Sequence, residues 1–88
     1  MDFRHYEFEL SANDVVEVTL EKQANVRVLD DANYSLYRRG KRFYGYGGLA
    51  KTSPISLAAP FAGHWHVVID LGGFRGSVRA SARVFSAA

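Results

Sequence analysis

Eighty-eight residues make one small domain, and a chain that is 48% hydrophobic and 14% aromatic has enough apolar material to fold rather than stay disordered. The absence of cysteine excludes disulfide staples, thiol nucleophiles and cysteine-ligated zinc. Eleven Lys and Arg against nine Asp and Glu leave a net charge of +2, too balanced for composition alone to demand an anionic partner.

A single β domain over residues 1–88 is the expectation, and a chain of this size leaves little area for a deep enclosed pocket. The first residues mix charges with aromatics and do not form a secretory signal. No stretch approaches the roughly 18 apolar residues of a membrane span, so the sequence points to a soluble, cytoplasmic protein.

Period-2 alternation dominates the chain. Phe3 to Leu10 reads as a strand. Val16, Val18 and Leu20 then alternate with Glu17, Thr19 and Glu21, the pattern of a half-buried strand with a charged outer face. Asn25 to Val28 repeats the pattern. Asp31 to Arg39 is the one helix candidate: Asp30 or Asp31 can cap its first N–H groups, Arg38 and Arg39 suit its carbonyl end, and Gly40 can take the left-handed conformation beyond it. Arg42 to Tyr46 is expected to be a short strand, with Gly47-Gly48 and Pro54 as turns. Ile55 to Ala58 is a weaker strand, followed by turn signals at Pro60 and Gly63.

The strongest pattern is the last. His64 to Leu71 and Ser77 to Val84 flank Gly72-Gly73, which predicts a hairpin with a two-residue turn, or with a four-residue turn that shifts partners by two and keeps both faces. With the two-residue turn Leu71 faces Phe74, Ile69 faces Gly76, Val67 faces Val78 and Trp65 faces Ala80, with Val84 further along the same apolar face. Asp70 with Arg75, Val68 with Ser77, and His66 with Arg79 occupy the polar face. About seven short strands and one helix predict an all-β fold, a small antiparallel sandwich or barrel.

Three segments together resemble a bacterial family known as domain of unknown function 1883. They are Asn25 to Tyr34 with Tyr37-Arg38-Arg39-Gly40, then Tyr46-Gly47-Gly48, then Gly63 to Gly73, and the likeness spans nearly the whole chain. His64 and His66 fall at polar, variable places in that pattern. The resemblance implies a compact, mainly β domain without assigned catalytic residues. It also implies an interaction role, since such domains occur alone and attached to signalling domains.

The most unusual stretch is Tyr37 to Gly48, where Arg38, Arg39, Lys41 and Arg42 interleave with Tyr37, Phe43, Tyr44 and Tyr46. Phosphate attraction plus base stacking makes such a mixture suitable for single-stranded nucleic acid, but the RNA-recognition signature is missing because Lys41-Arg42 follow Gly40. The plainer reading is a helix end with compensating cations, then an aromatic strand with Phe43 inside and Tyr44 and Tyr46 outside. Gly45-x-Gly47-Gly48 fails as a phosphate loop, because Lys51 is not adjacent to the last glycine and Pro54 falls where the helix must begin.

His64 and His66 project from one strand face as metal-binding pairs do, but the sequence places no third ligand beside them. Asp70 shares that face at about 13 Å from His66, given roughly 3.3 Å per residue, and His5 cannot be located. No nucleophile elbow exists, and Asp30-Asp31 is explained by capping.

The resulting expectation is a non-enzymatic binding module with neither metal nor cofactor. Its ligand surface would join Arg38, Arg39, Lys41, Arg42, Tyr44 and Tyr46 to a polar face with His66 and Arg79. The partner would be a protein or another anionic ligand. Alternatives are a single-stranded nucleic-acid binder, a carbohydrate or small-ligand binder using the tyrosines, and a weak hydrolase.

Overall fold

The computed structural model describes residues 3–74 and 76–86. Its elements run β1 (Phe3–Leu10), β2 (Val15–Leu20), β3 (Ala24–Leu29), α1 (Asp31–Arg38), β4 (Tyr46–Ala50), β5 (Ile55–Ala58), β6 (Gly63–Asp70) and β7 (Ala80–Phe85). They form two antiparallel sheets, one of four strands in the order β1-β6-β3-β4 and one of three in the order β5-β2-β7. The expected all-β sandwich with one short helix is therefore what the chain builds. No described helix is long and apolar enough to cross a membrane.

The alternation read from the sequence decides what lies between the sheets. Val16, Val18 and Leu20 of β2 meet Ala24, Val26 and Val28 of β3 and Trp65, Val67 and Ile69 of β6, with Leu10, Ala50, Ala59 and Val78 completing the core. Trp65 is 1% exposed, and its indole N–H donates to the Phe61 carbonyl at 3.0 Å, so no polar atom of the ring is stranded. In β6 the alternation stops mattering: Trp65 to Asp70 are all buried. The even-numbered side is closed by α1, where Leu29, Tyr37 and Val68 form a second, smaller core with Phe3, Tyr34 and Phe43 against it.

Helix α1 is punctuated as its sequence requires. The Asp30 carboxylate accepts the Asn33 N–H at 2.8 Å, Asp31 stands in the first turn, and Gly40 follows at φ 72°. Regular helix ends at Arg38, one residue before the expected end, with Arg39 as its C-cap.

Four expectations fail. Gly72 and Gly73 do make a tight turn, with φ of 67° and 89° and the Phe74 N–H reaching the Leu71 carbonyl at 3.3 Å. The turn does not close a hairpin, because β1 and β3 already occupy both edges of β6, and β7 instead pairs with β2 in the opposite sheet. The predicted pairs of Ile69 with Gly76, Val67 with Val78, Trp65 with Ala80, Val68 with Ser77 and His66 with Arg79 are absent. Arg75, the predicted partner of Asp70, lies outside the described residues. The apolar face nonetheless reaches the core: Val78 is buried, and Leu71, Ala80 and Ala82 pack against it. Strand β7 begins only at Ala80, and Val84, expected inside, is 37% exposed.

The predicted strand over Arg42 to Tyr46 is irregular chain up to Gly45, with the Tyr44 N–H taken by the Asn33 side chain at 2.8 Å instead of a ladder partner. Gly47 and Gly48, expected as a bend, lie within β4 opposite Arg27 and Val26. Gly47 sits at φ 111°, and a Cβ there would collide with the Val26 carbonyl, so the position accepts glycine only.

Truncating Trp65 to alanine should cost about 3–5 kcal/mol, a large share of a small domain's stability. Denaturant titration measures it, and a loss below about 1 kcal/mol would contradict the packing described.

Candidate functional site

The basic segment gathers around the C-terminal end of α1. Arg38, Arg39, Lys41 and Arg42 are exposed. The Arg38 guanidinium lies 5.8 Å from the centre of the Tyr34 ring, and Arg39 donates from Nε to the Ser35 carbonyl at 3.3 Å. None of the four is in an ion pair among the described residues; the carboxylates that do pair serve Arg27, Arg83 and histidines.

The tyrosines occupy a different place. Asn33 donates to the Asp30 cap at 2.9 Å and accepts from Tyr44, which draws the loop back along the helix to its first turn. Tyr44 is 80% exposed there, and Tyr46 meets Trp65 edge-on at 6.0 Å between ring centres. Together with Phe61, Asp30 and Asn33 they line an open cleft of about 260 Å³. Phe43 turns inward against Tyr37, as its apolar ring requires. Arg38 is thus set five residues along the helix from the Asn33 that holds Tyr44, about 7.5 Å at 1.5 Å per residue, whereas Arg42 is only two residues from Tyr44 in the chain.

The two remaining predicted residues do not join this surface. His66 is 5% exposed beneath the helix start, whereas Arg79 precedes β7 in the other sheet, where its N–H bonds Glu21 at 3.4 Å. Their pairing depended on the hairpin that does not form.

His66 belongs instead to a cluster that sequence reasoning missed. The β1–β6 ladder sets Glu7 opposite His66 and Glu9 opposite His64. Alternation then brings His5, Glu7 and Glu9 to the same face as the two histidines. The His66 Nε2 lies 2.6 Å from Asp31 Oδ1, and its Nδ1 lies 2.8 Å from His5 Nε2 and 3.6 Å from Glu7 Oε1. Since an ionised carboxylate only accepts, His66 carries hydrogen on Nε2; in the neutral ring its Nδ1 then accepts from His5. A ring-centre distance of 5.0 Å with planes 17° apart describes imidazoles side by side, not face to face. Tyr34 covers both, 4.2 Å from each ring centre, with its hydroxyl 3.2 Å from His5 Nδ1. His64 contacts Glu9 at 2.6 Å and Glu7 at 3.3 Å.

These contacts set the charges. Burial, reinforced by the neighbouring His66, lowers the His5 pKa from its ordinary 6.5. The Glu9 and Glu7 carboxylates raise that of His64, and the His64 hydrogen bond lowers that of Glu7. Two overlapping sets, His5-Glu7-His66 and Asp31-His64-His66, place their donor atoms within 4.8 Å of one another, so this cluster can pass protons or hold a metal ion. Its signal is the His-x-Glu-x-Glu alternation of β1 facing the His-x-His of β6, which is invisible until the pairing is known.

Further along β6, Asp70 is buried at 3% exposure but not idle. It accepts from the Tyr37 hydroxyl at 2.6 Å, Gly72 N–H at 2.8 Å and Asn25 Nδ2 at 3.0 Å, with Arg27 Nη1 at 3.6 Å. Burial alone would raise its pKa, but these donors hold it below the ordinary 3.8; burial and Asp70 together push the Tyr37 hydroxyl well above its usual range. A depressed folded-state value means that Asp70 contributes stability above pH 3.8, lost as pH falls through the lower folded value. Tyr37→Phe removes one donor, so it should cost about 1–3 kcal/mol at neutral pH and move acid unfolding to higher pH. Acid titration followed by circular dichroism tests this, and an unchanged acid midpoint would refute it.

Searches of curated proteins and of solved structures found no match to this chain. A family model described as Domain of unknown function (DUF1883) matches residues 1–88, the segments that build both sheets and the helix between β3 and β4 included. The resemblance of the three glycine- and aromatic-marked segments is thereby extended to the full length, and the chain belongs to the DUF1883 family.

Proposed function

We propose that this domain is a non-catalytic binding module of the cytoplasm, and that the C-terminal end of α1 with the following loop receives an anionic partner, foremost an acidic protein segment. The observation that carries this reading is the exposure of Arg38, Arg39, Lys41 and Arg42 without a carboxylate partner among the described residues. Compensation of a helix end is satisfied by one or two cations at about 0.3–1 kcal/mol each, so four exceed what stability uses. Single-stranded nucleic acid is a less favoured occupant, because Phe43 packs inward and Tyr44 is the one strongly exposed ring of the segment, which offers no row of stacking rings.

The cleft lined by Tyr44, Tyr46, Phe61 and Trp65, with Asp30 and Asn33 at its edge, favours a second reading. Aromatic walls beside a carboxylate and an amide suit a carbohydrate or another small neutral ligand. Salt separates the two readings, since affinity for a polyanion falls steeply with ionic strength and affinity for a neutral sugar does not.

Charge reversal in Arg39→Glu with Arg42→Glu should abolish binding of an acidic peptide and leave the melting temperature nearly unchanged, because exposed charges contribute little to folding. Fluorescence anisotropy with labelled polyglutamate and labelled oligothymidylate, at low and physiological salt, measures both arms. Retained peptide binding by the double variant would overturn the assignment, and a preference for the oligonucleotide would replace the protein partner with nucleic acid.

A further inference from the structure

The cations of the preceding section leave the acidic and imidazole groups on the outer face of the four-stranded sheet unexplained. Glu7, Glu9 and Asp31 form no ion pair with Lys or Arg among the described residues, where their ion-pair partners are His64 and His66. The patch sets three carboxylates and three imidazoles together, one of them His66 at 5% exposure. Two kinds of charge can balance that arrangement: protons on the histidines, or a divalent cation.

The geometry points to a divalent transition-metal site formed by His5 Nε2, His66 Nδ1 and Glu7 Oε1. Donor atoms around a tetrahedral ion at 2.0–2.1 Å stand about 3.3 Å apart. The His5–His66 nitrogens at 2.8 Å and the His66–Glu7 pair at 3.6 Å bracket that spacing, and the full trio lies within 4.8 Å. The backbone supplies this without distortion, since His5 and Glu7 are alternate residues of β1 and Glu7 is the direct ladder partner of His66.

The surroundings are those of a supported ligand. A metal-binding histidine commonly donates its second ring N–H to a carboxylate, which fixes the tautomer and ring orientation. Asp31 stands 2.6 Å from His66 Nε2 in that position, leaving Nδ1 for the ion. Tyr34 covers His5 and His66 together and holds them in nearly one plane. Two imidazoles and one carboxylate select zinc, nickel, cobalt or copper over magnesium or calcium, and three protein donors leave a fourth position open to water or to a ligand. The overlapping set Asp31-His64-His66 is the weaker choice, because His64 is already held between Glu7 and Glu9.

Isothermal titration of Zn²⁺ into the full metal-stripped chain tests the site. One equivalent should bind, and thermal melting should rise with excess zinc, since an ion that binds only the folded state stabilises it. His5→Ala and Glu7→Gln, both at the cluster's outer side, should each weaken binding at least tenfold. Asp31→Asn should weaken it about 10- to 100-fold through the ring it orients. Each variant's melting temperature without metal verifies that it is folded, so loss of affinity is not confused with loss of structure. Absence of zinc binding by the folded wild type would overturn the assignment. So would binding that His5→Ala and Glu7→Gln leave intact while His64→Ala removes it, an outcome that would place the ion on the alternative set.

Discussion

Strand β6 carries the organisation of the molecule because it is an inner strand of its sheet whose residues from Trp65 to Asp70 are buried on both faces. Its odd-numbered residues fill the space between the sheets, its even-numbered residues lie under α1, and β1 and β3 take its two sets of backbone hydrogen bonds. Burying six consecutive residues, Trp65 to Asp70, is possible only if the polar ones among them find partners. His66 finds His5 and Asp31, and Asp70 finds Tyr37, Asn25, Gly72 and Arg27. No side-chain polar atom among the described residues is left buried without one. The two polar networks on the helix side are thus the condition under which an apolar strand can include His66 and Asp70 at all.

How much of this the sequence reveals depends on the range of the interaction. Alternation is a property of a few adjacent residues, so the inward faces of β2, β3 and β6 could be read, as could Asp30 and Gly40 at the ends of α1. Pairing is not local. Successive strands here mostly change sheets, and among them only β3 and β4 are both consecutive and hydrogen-bonded, with the helix between. Joining nearest neighbours in sequence therefore pairs β7 with β6, and Arg79 with His66, although the alternation does turn Val78, Ala80 and Ala82, but not Val84, into the core.

The same distinction explains the candidate sites. Arg38, Arg39, Lys41 and Arg42 are close in sequence and all exposed around the end of α1, so their grouping is legible locally, while the tie of Tyr44 to the helix start through Asn33 is not. The histidine cluster assembles from β1, α1 and β6, segments separated by up to 61 positions, as in the His5–His66 contact. Nothing in either segment alone distinguishes His5 from a surface histidine. Gly47 shows the converse: a glycine legible as a turn signal serves as a point of close approach between β4 and β3, a use of the missing side chain that only the register discloses.

The shallow attachment of α1 has a consequence for the dynamics of the domain. An eight-residue helix is too short to persist in water on its own, and Tyr37 is its one fully buried residue. Detaching it exposes the small cluster of Leu29, Tyr37 and Val68 but leaves the larger core between the sheets closed. The helix should therefore open locally at a lower free energy than the sandwich unfolds, with its amide hydrogens exchanging with solvent sooner than those of β6. Because Asp31, Tyr34 and Arg38 ride on it, whatever settles at either end of the helix also suppresses its opening, and amide exchange in α1 becomes a reporter of occupancy.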